Sequence, residues 1–182
     1  MSTTTRKTHP HFCDHAHHNH HHNVYSHDAA TRLQEAKLLC GKRGVRFTPL
    51  REDVYSLILE ADKPVGAYDL ISALQDKRRQ NGDHKNIAPP TVYRSLGFLL
   101  EEGLIHQLSA INAYIPCCHP RAAHTAAFLI CKNCHSVEEC SNLPVEGVLD
   151  FAANDAKFAV QESVIELLGL CRQCQAANTQ TP

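Results

Sequence analysis

The sequence predicts an α+β fold in two parts, because helical and extended patterns are unevenly distributed along its 182 residues. From residue 28 to residue 103, apolar residues recur at the three- and four-residue spacing of amphipathic helices. After residue 103, short extended runs of apolar and β-branched residues surround two Cys-x-x-Cys pairs. We therefore expect a helical N-terminal domain followed by a mixed C-terminal domain built around a metal.

Residues 1–27 predict a disordered arm. Nine of the fourteen histidines lie in this stretch, which is too polar to bury a core. The histidines give the arm a loose affinity for divalent metals, but they do not define a site. The predicted domains are residues 28–109 and residues 110–176, followed by a short tail, 177–182.

Three helices are predicted between residues 28 and 80. Asp28 can cap the first, and Thr48 followed by Pro49 has the capping residue and first-turn proline of a second. A third helix, around residues 68–75, runs out in a basic stretch. Residues 80–88 are polar and are expected to form a mobile connection.

A fourth helix is predicted over residues 89–103, because two prolines open it and a glycine closes it. One side of this helix is apolar, whereas Thr91 and Arg94 lie on another side. Two short extended runs, 104–109 and 113–116, then predict a β-hairpin. Three helices, a fourth with polar recognition groups and a hairpin are the order of elements in a winged helix-turn-helix.

The second half is predicted to mix strands with one helix. Residues 126–130 and 136–139 should be strands that flank the first cysteine pair. Residues 144–157 have a helical pattern. Residues 158–169 are rich in β-branched and apolar residues and are predicted to form a strand that carries the last cysteine pair.

The two Cys-x-x-Cys pairs predict a structural zinc site with four thiolate ligands, Cys131, Cys134, Cys171 and Cys174. The 36 residues between the pairs mean that the metal would fasten the end of the chain to an earlier hairpin. Redox chemistry and disulfides are the alternatives. The first pair runs into a returning strand and not into a helix, and there is no apolar leader, so reduced thiols in a cytoplasmic protein are expected.

A second set of candidate metal ligands surrounds the first pair. It consists of His106, Cys117, His124 and Glu139. Two imidazoles, a thiolate and a carboxylate suit zinc, and four protein ligands leave no open position for a substrate water. Each residue also has an ordinary interpretation as a strand histidine, a solvated charge or a small buried thiol. Together they predict a sensory site and not a catalytic one.

The fourth helix also carries the residues predicted to contact DNA. Arg94 can bond a guanine edge and Tyr93 can pack on a thymine methyl, although Tyr93 could equally support the helix from the core. Four further residues are candidates for phosphate contacts or for simple surface solvation: Thr91, Tyr68, Arg46 and Arg51. Net charge is only −1, with a mild positive balance in the first half, so charge alone does not establish such a partner.

The combined motifs resemble the ferric uptake regulator superfamily, and within it the zinc uptake regulators. The resemblance rests on both cysteine pairs, the second ligand set, Arg46-Phe-Thr-Pro-Leu-Arg51 and Pro89-Pro-Thr-Val-Tyr-Arg-Ser-Leu-Gly-Phe-Leu, and it covers about residues 28–175. Iron- and peroxide-sensing relatives carry a denser histidine cluster where this chain reads Ala122-Ala-His-Thr-Ala-Ala. Cys118 or His119 could replace Cys117 as a ligand.

The resemblance implies a homodimeric repressor whose winged helix reads a pseudo-palindromic double-stranded operator and whose second domain dimerises. It implies two zinc ions per subunit, one structural and one regulatory near the hinge. A sensor of iron or nickel, a zinc-buffering protein and a zinc enzyme are the competing hypotheses. The chain has no HExxH or deaminase pattern and no apolar run of membrane-spanning length, so neither an enzyme nor a membrane protein is expected.

Overall fold

The structure is a computed structural model that describes residues 28–118, 120, 126–140, 146–160 and 163–178. The histidine-rich stretch, His119 and the segment that contains His124 lie outside these residues. The fold is α+β, as predicted from the sequence. Within the described residues, no helix combines the length and the apolar character needed to cross a membrane.

Four helices make up the first half. They are α1 (Ala29–Lys42), α2 (Pro49–Glu60), α3 (Ala67–Gln80) and α4 (Pro89–Glu101). Their starts confirm the predicted caps: the Asp28 side chain accepts a hydrogen bond from the Thr31 amide at 2.7 Å, and Thr48 accepts one from the Arg51 amide at 3.5 Å. The left-handed backbone of Gly103 (φ 63°) ends α4, as a glycine at that position should.

The apolar faces of these helices meet in one core. Tyr55 and Leu59 of α2 and Leu96 and Leu99 of α4 are almost completely buried there. Burying side chains of this size contributes about 1.5–3 kcal/mol each before the entropy cost of ordering them. The connection 80–88, predicted to be mobile, is held at its end because the buried Ile87 donates its amide to the Gln75 side chain at 2.9 Å.

A three-stranded antiparallel sheet closes the first half. Its strands are β1 (Val65–Gly66), β2 (Ile105–Leu108) and β3 (Ala113–Pro116), in the order β1-β3-β2. The sequence predicted the β2–β3 hairpin but not β1, which is too short to have a pattern. Since β3 pairs with both other strands, the predicted boundary at residue 109 falls within the β2–β3 hairpin.

A second sheet carries the cysteine pairs. Its strands are β4 (Ala126–Cys131), β5 (Val137–Cys140) and β6 (Val164–Gly169), with β4 in the centre, antiparallel to β5 and parallel to β6. The remaining elements are α5 (Glu146–Asp150), continued by a π-helical turn (Phe151–Asp155), and α6 (Arg172–Asn178).

Two predicted elements of the second half need correction. The strand predicted over residues 158–169 begins only at Val164, because residues 158–160 pair with no strand in the described part of the chain. The helix predicted over residues 144–157 is regular only to Asp150. Short apolar segments such as these give little periodicity to place their ends.

The two sheets pack against each other through a small apolar cluster. Leu108 and Ile115 of the first sheet meet Phe128 and Ile130 of the second. Strand register places Phe128 between Glu139 on β5 and Glu166 on β6, so these three side chains lie on the same face, toward the hairpin. The two halves of the chain therefore meet across this face of the second sheet.

Candidate metal centres and nucleic-acid interface

The four predicted zinc cysteines converge. Their sulfur atoms all lie within 4.8 Å of one another. Cys131 and Cys134 lie at the turn between β4 and β5, where His135 adopts a left-handed backbone (φ 59°). Cys171 and Cys174 follow β6, whose parallel pairing with β4 brings them to the same end of the sheet. The described cysteines form no disulfide with one another.

Neighbouring polar groups stabilise the thiolates of Cys131 and Cys134, whereas at Cys174 the lowering effect of the Asn133 side chain is outweighed by the other three sulfurs and burial, which raise the pKa to about 12. The amide of Cys171 lies 3.3 Å from the sulfur of Cys131, and the side-chain amide of Asn133 lies 3.3 Å from that of Cys174. Amide donors from Cys134 and Cys171 lower the pKa of Cys131 to about 6. The Ser136 side chain and amide lower the pKa of Cys134. Since thiolates and not thiols bind metal, this environment fits a tetrahedral zinc ion.

Three of the four residues predicted for the second site also converge. Candidate ligand atoms of His106, Cys117 and Glu139 lie within 4.8 Å of one another. His106 comes from β2, Cys117 follows β3, and Glu139 comes from β5. The group therefore joins the two sheets. Among the described residues it includes Cys117 and not its neighbour Cys118, while His124 and His119 lie outside the residues described.

Glu139 is a carboxylate that is only 1% exposed, so its charge needs partners. One carboxylate oxygen lies 3.3 Å from Nε2 of His106, and the other accepts a hydrogen bond from the Cys118 amide at 3.0 Å. Burial raises the pKa of Glu139, but the hydrogen bond and charge of His106 and the Cys118 amide outweigh it and lower that pKa to about 2. The group is thus an ionised carboxylate next to an imidazole and a thiol, which is a donor set that zinc accepts.

Arg32 is a residue of this site that the sequence reasoning missed. Its guanidinium Nη2 donates to the carbonyl of Cys117 at 2.6 Å, although Arg32 lies on α1, 85 residues away, and is only 7% exposed. A signal was present: Arg32, Ala36 and Cys40 repeat every four residues and form the buried stripe of α1. An arginine in such a stripe needs a buried acceptor.

The candidate DNA-contacting residues lie on α4, on α2 and α3 and just before α2, and they differ in exposure. Tyr93 is 45% exposed and Tyr68 is 76% exposed, while Arg94 and Arg46 are also at the surface. Thr91 is half-buried in the first turn of α4.

Arg51 is engaged within the fold. Its guanidinium carbon lies 3.5 Å from the centre of the Phe98 ring, and its Nη1 donates to the Arg46 carbonyl. A packing role therefore competes with a phosphate contact at Arg51. The solvent-facing Tyr93 weakens the alternative that it serves the core.

Comparisons with known proteins agree with the family that the sequence motifs resemble. Residues 42–168 match the model of the ferric uptake regulator family. The zinc uptake regulation protein of Escherichia coli (strain K12) is 39% identical over 144 residues, which are 78% of this chain and 80% of that protein. The peroxide operon regulator of Bacillus subtilis (strain 168) is 28% identical over 80% of this chain and 95% of that protein.

Solved structures give the same result. A zinc uptake regulator complexed with zinc and DNA superposes with a TM-score of 0.75 at 35% identity, covering 85% of this chain and 99% of that one. Holo XcZur superposes with a TM-score of 0.67 at 39% identity, covering 80% and 98%. With its winged-helix half, its cysteine cluster and these matches, the chain belongs to the ferric uptake regulator family.

Proposed function

We propose that this protein is a zinc-responsive, DNA-binding transcriptional repressor that controls genes of zinc uptake and homeostasis. Its family, a relative named as a zinc uptake regulation protein and a superposing regulator complexed with zinc and DNA support this proposal. It acts as a homodimer on a pseudo-palindromic operator and takes two zinc ions per subunit. Catalysis plays no part in this function.

The observation that carries the proposal is the position of His106, Cys117 and Glu139 between the two sheets. His106 lies in the first sheet, Cys117 directly follows its strand β3, and Glu139 lies in the second sheet. These groups can therefore bind one ion only when the two sheets hold one relative orientation. Coordination supplies the free energy that favours this orientation. His124 is the proposed fourth ligand. The Cys117 thiolate favours zinc over the harder iron(II) ion.

The four-cysteine cluster serves a different purpose in this proposal. All of its members belong to the second half, and they fasten the end of β6 to the β4–β5 turn. A closed set of four thiolates has no position for exchange with solvent ligands. We assign it to the structural ion, which stays bound while the regulatory ion comes and goes.

Exposed apolar side chains on the second sheet support the homodimer. Leu129 on β4, Leu167 and Leu168 on β6 and Leu170 directly after β6 are each more than a third exposed, and within the described residues β6 pairs on one side only. An edge strand with such side chains is normally covered. A second copy of the chain would cover it and place two α4 helices on successive major grooves, roughly 34–36 Å apart.

DNA reading is assigned to the exposed face of α4. Arg94 and Tyr93 are the proposed base contacts, and Thr91, Tyr68, Arg46 and Arg51 the proposed phosphate contacts. The N-terminus of α4 adds amide groups that favour a phosphate.

Operator binding measured during a zinc titration tests the proposal. Full-length protein should bind a specific duplex tightly with zinc and at least ~100-fold more weakly after the labile ion is removed by a mild chelator, since moving a two-state equilibrium from 1:99 to 99:1 needs ~5.5 kcal/mol. Metal analysis of the purified protein separates zinc from iron and nickel. Operator affinity that does not respond to zinc, iron or nickel would contradict the regulatory role.

A further inference from the structure

The contact between β6 and the hairpin turn points to a second joint between the two sheets, one that contains no metal ligand. One carboxylate oxygen of Glu166 accepts a hydrogen bond from the Ser109 amide at 2.6 Å, and the other accepts one from the Ala110 amide at 2.7 Å. Ser109 and Ala110 begin the turn between β2 and β3. Both oxygens of one carboxylate therefore hold two successive backbone amides of the opposite domain.

We propose that Glu166 is a positioning residue that clamps the hairpin of the DNA-binding domain to the second sheet and thereby sets the zinc concentration at which the protein responds. This inference rests on the proposed function for its regulatory part. Its structural part stands on the two hydrogen bonds alone.

The location of Glu166 explains why a clamp there matters. Glu139 and Glu166 flank Phe128 in register on the face of the second sheet that packs on the hairpin. Glu139 meets His106 at one side of this face, and Glu166 meets the turn at the other. The fully buried Phe128 lies between them, with its ring centre 5.1 Å from that of His106.

The two joints have different requirements. The Glu139 side is completed by metal ligands, whereas the Glu166 side needs only an ionised carboxylate and two amides. Successive backbone N–H groups at a turn form a favourable seat for an anion, and hydrogen bonds to a charged acceptor are stronger than neutral ones. The left-handed Asn112 (φ 49°) fixes the shape of the turn that presents these amides.

The clamp should therefore limit how far the sheets can swing when the regulatory ion is absent. A larger fraction of the metal-free protein then already has the arrangement that binds zinc. Because the apparent dissociation constant is the intrinsic one divided by that fraction, loss of the clamp should weaken the zinc response without removing a ligand.

The test compares Glu166→Gln with Glu138→Gln in the full-length protein. Glutamine keeps the size of the side chain but has one carbonyl acceptor where glutamate has two oxygens. Glu138 is exposed on β5, and its side chain points away from the hairpin, so its variant makes the same charge change without touching the joint. Amide exchange at Phe128 and Leu129 of β4 reports whether each variant is folded.

Two measurements are made on each protein. Hydrogen exchange at the Ser109 and Ala110 amides, in zinc-loaded protein, should speed up at least ~10-fold in Glu166→Gln and stay unchanged in Glu138→Gln. The zinc concentration for half-maximal operator binding should rise several-fold in Glu166→Gln, while affinity for the operator at saturating zinc stays near that of the wild type.

The outcomes separate the clamp from the proposed function. Unchanged exchange at both amides in Glu166→Gln overturns the clamp. Faster exchange with an unchanged zinc midpoint overturns its regulatory role. If the wild type binds operator independently of zinc while Glu166→Gln still speeds exchange, the proposed function fails and the clamp remains.

Discussion

The first and second halves of this chain are stabilised in different ways. In the described part of the first half, seventeen buried apolar side chains from the four helices, the sheet and the segments between them form one continuous core. Among the described residues, the second sheet contributes the buried Phe128 and Ile130 and the partly buried Val137 to the small cluster between the sheets, and it leaves several leucines exposed. Below a certain core size, a domain needs a metal, a disulfide or a partner chain. We therefore expect the first half to fold on its own apolar core and the second half to depend on the four cysteines and a second copy.

The largest expected effect is that of Cys134→Ser. A structural zinc ion contributes on the order of 10–16 kcal/mol, which exceeds or equals the whole stability of an ordinary domain. Amide protection should be lost throughout β4, β5 and β6 and retained in α1 to α4, as measured by hydrogen exchange. Lys132→Ser, in the same turn and exposed, is the control and should keep both halves protected. A second sheet that keeps its amide protection in Cys134→Ser would show that the second half does not depend on the four cysteines for its stability.

The next effect concerns the junction between the halves. Cys117→Ser removes the sulfur from the group formed by His106, Cys117 and Glu139. The zinc concentration needed for operator binding should therefore rise by more than ~100-fold, which is more than the loss of a residue that only supports a metal ligand causes. Both halves should remain folded, and about one zinc ion per subunit should be lost. Cys118→Ser is the comparison variant, since the Cys118 sulfur lies outside the converging group although its side chain also hydrogen-bonds Glu139. If Cys118→Ser loses the response instead, the ligand is Cys118.

Arg94→Ala addresses the first half alone. Loss of a guanine contact should cost about 1–3 kcal/mol of operator binding and relax the sequence preference at one position. Zinc content and the free energy of unfolding should not change, because Arg94 is exposed on α4 and belongs to neither group of candidate ligands. Competition between operator and random duplexes measures the effect. An unchanged ratio of the two affinities would remove Arg94 from the base-reading residues.

The smallest effect is expected for Arg32→Met, which removes the donor to the Cys117 carbonyl. Groups that orient a metal ligand are worth roughly tenfold or more in metal affinity, so zinc affinity of the second site should fall about tenfold. The change should also lower stability modestly, because it leaves a buried carbonyl without that donor. Arg79→Met, exposed on α3, should alter neither property. Equal zinc affinities measured by competition with a chelator would show that α1 does not support the site.

Much of the first half was predictable because its information is local. Asp28 and Thr48 are capping residues that act within three positions of themselves, and the prolines and glycine around α4 fix its ends. The β2–β3 hairpin was also visible from its two short runs. In the second half, the start of the strand before Cys171 was placed wrongly, because an exposed edge strand has no alternation of buried and exposed residues to mark where it begins.

The cysteine pairs were predictable from spacing, since two ligands separated by two residues reach one ion from one turn. The roles of Arg32 and Glu166 were not. Their partners lie 85 and 57 residues away and are backbone groups, which every residue has and which the sequence therefore does not single out.

The four helices of the first half, the hairpin, the convergence of the four cysteines and the family could all be inferred from the order of amino acids, because each depends on short-range patterns or on side-chain chemistry at fixed spacing. Only the tertiary structure shows which side chains and backbone groups are in contact between the two halves. The packing of the second sheet on the hairpin brings Glu139 to His106 and Glu166 to the Ser109–Ala110 turn. Contacts of this kind depend on strand register and on the angle between two sheets, which arise from the sum of many weak packing interactions and not from any one motif.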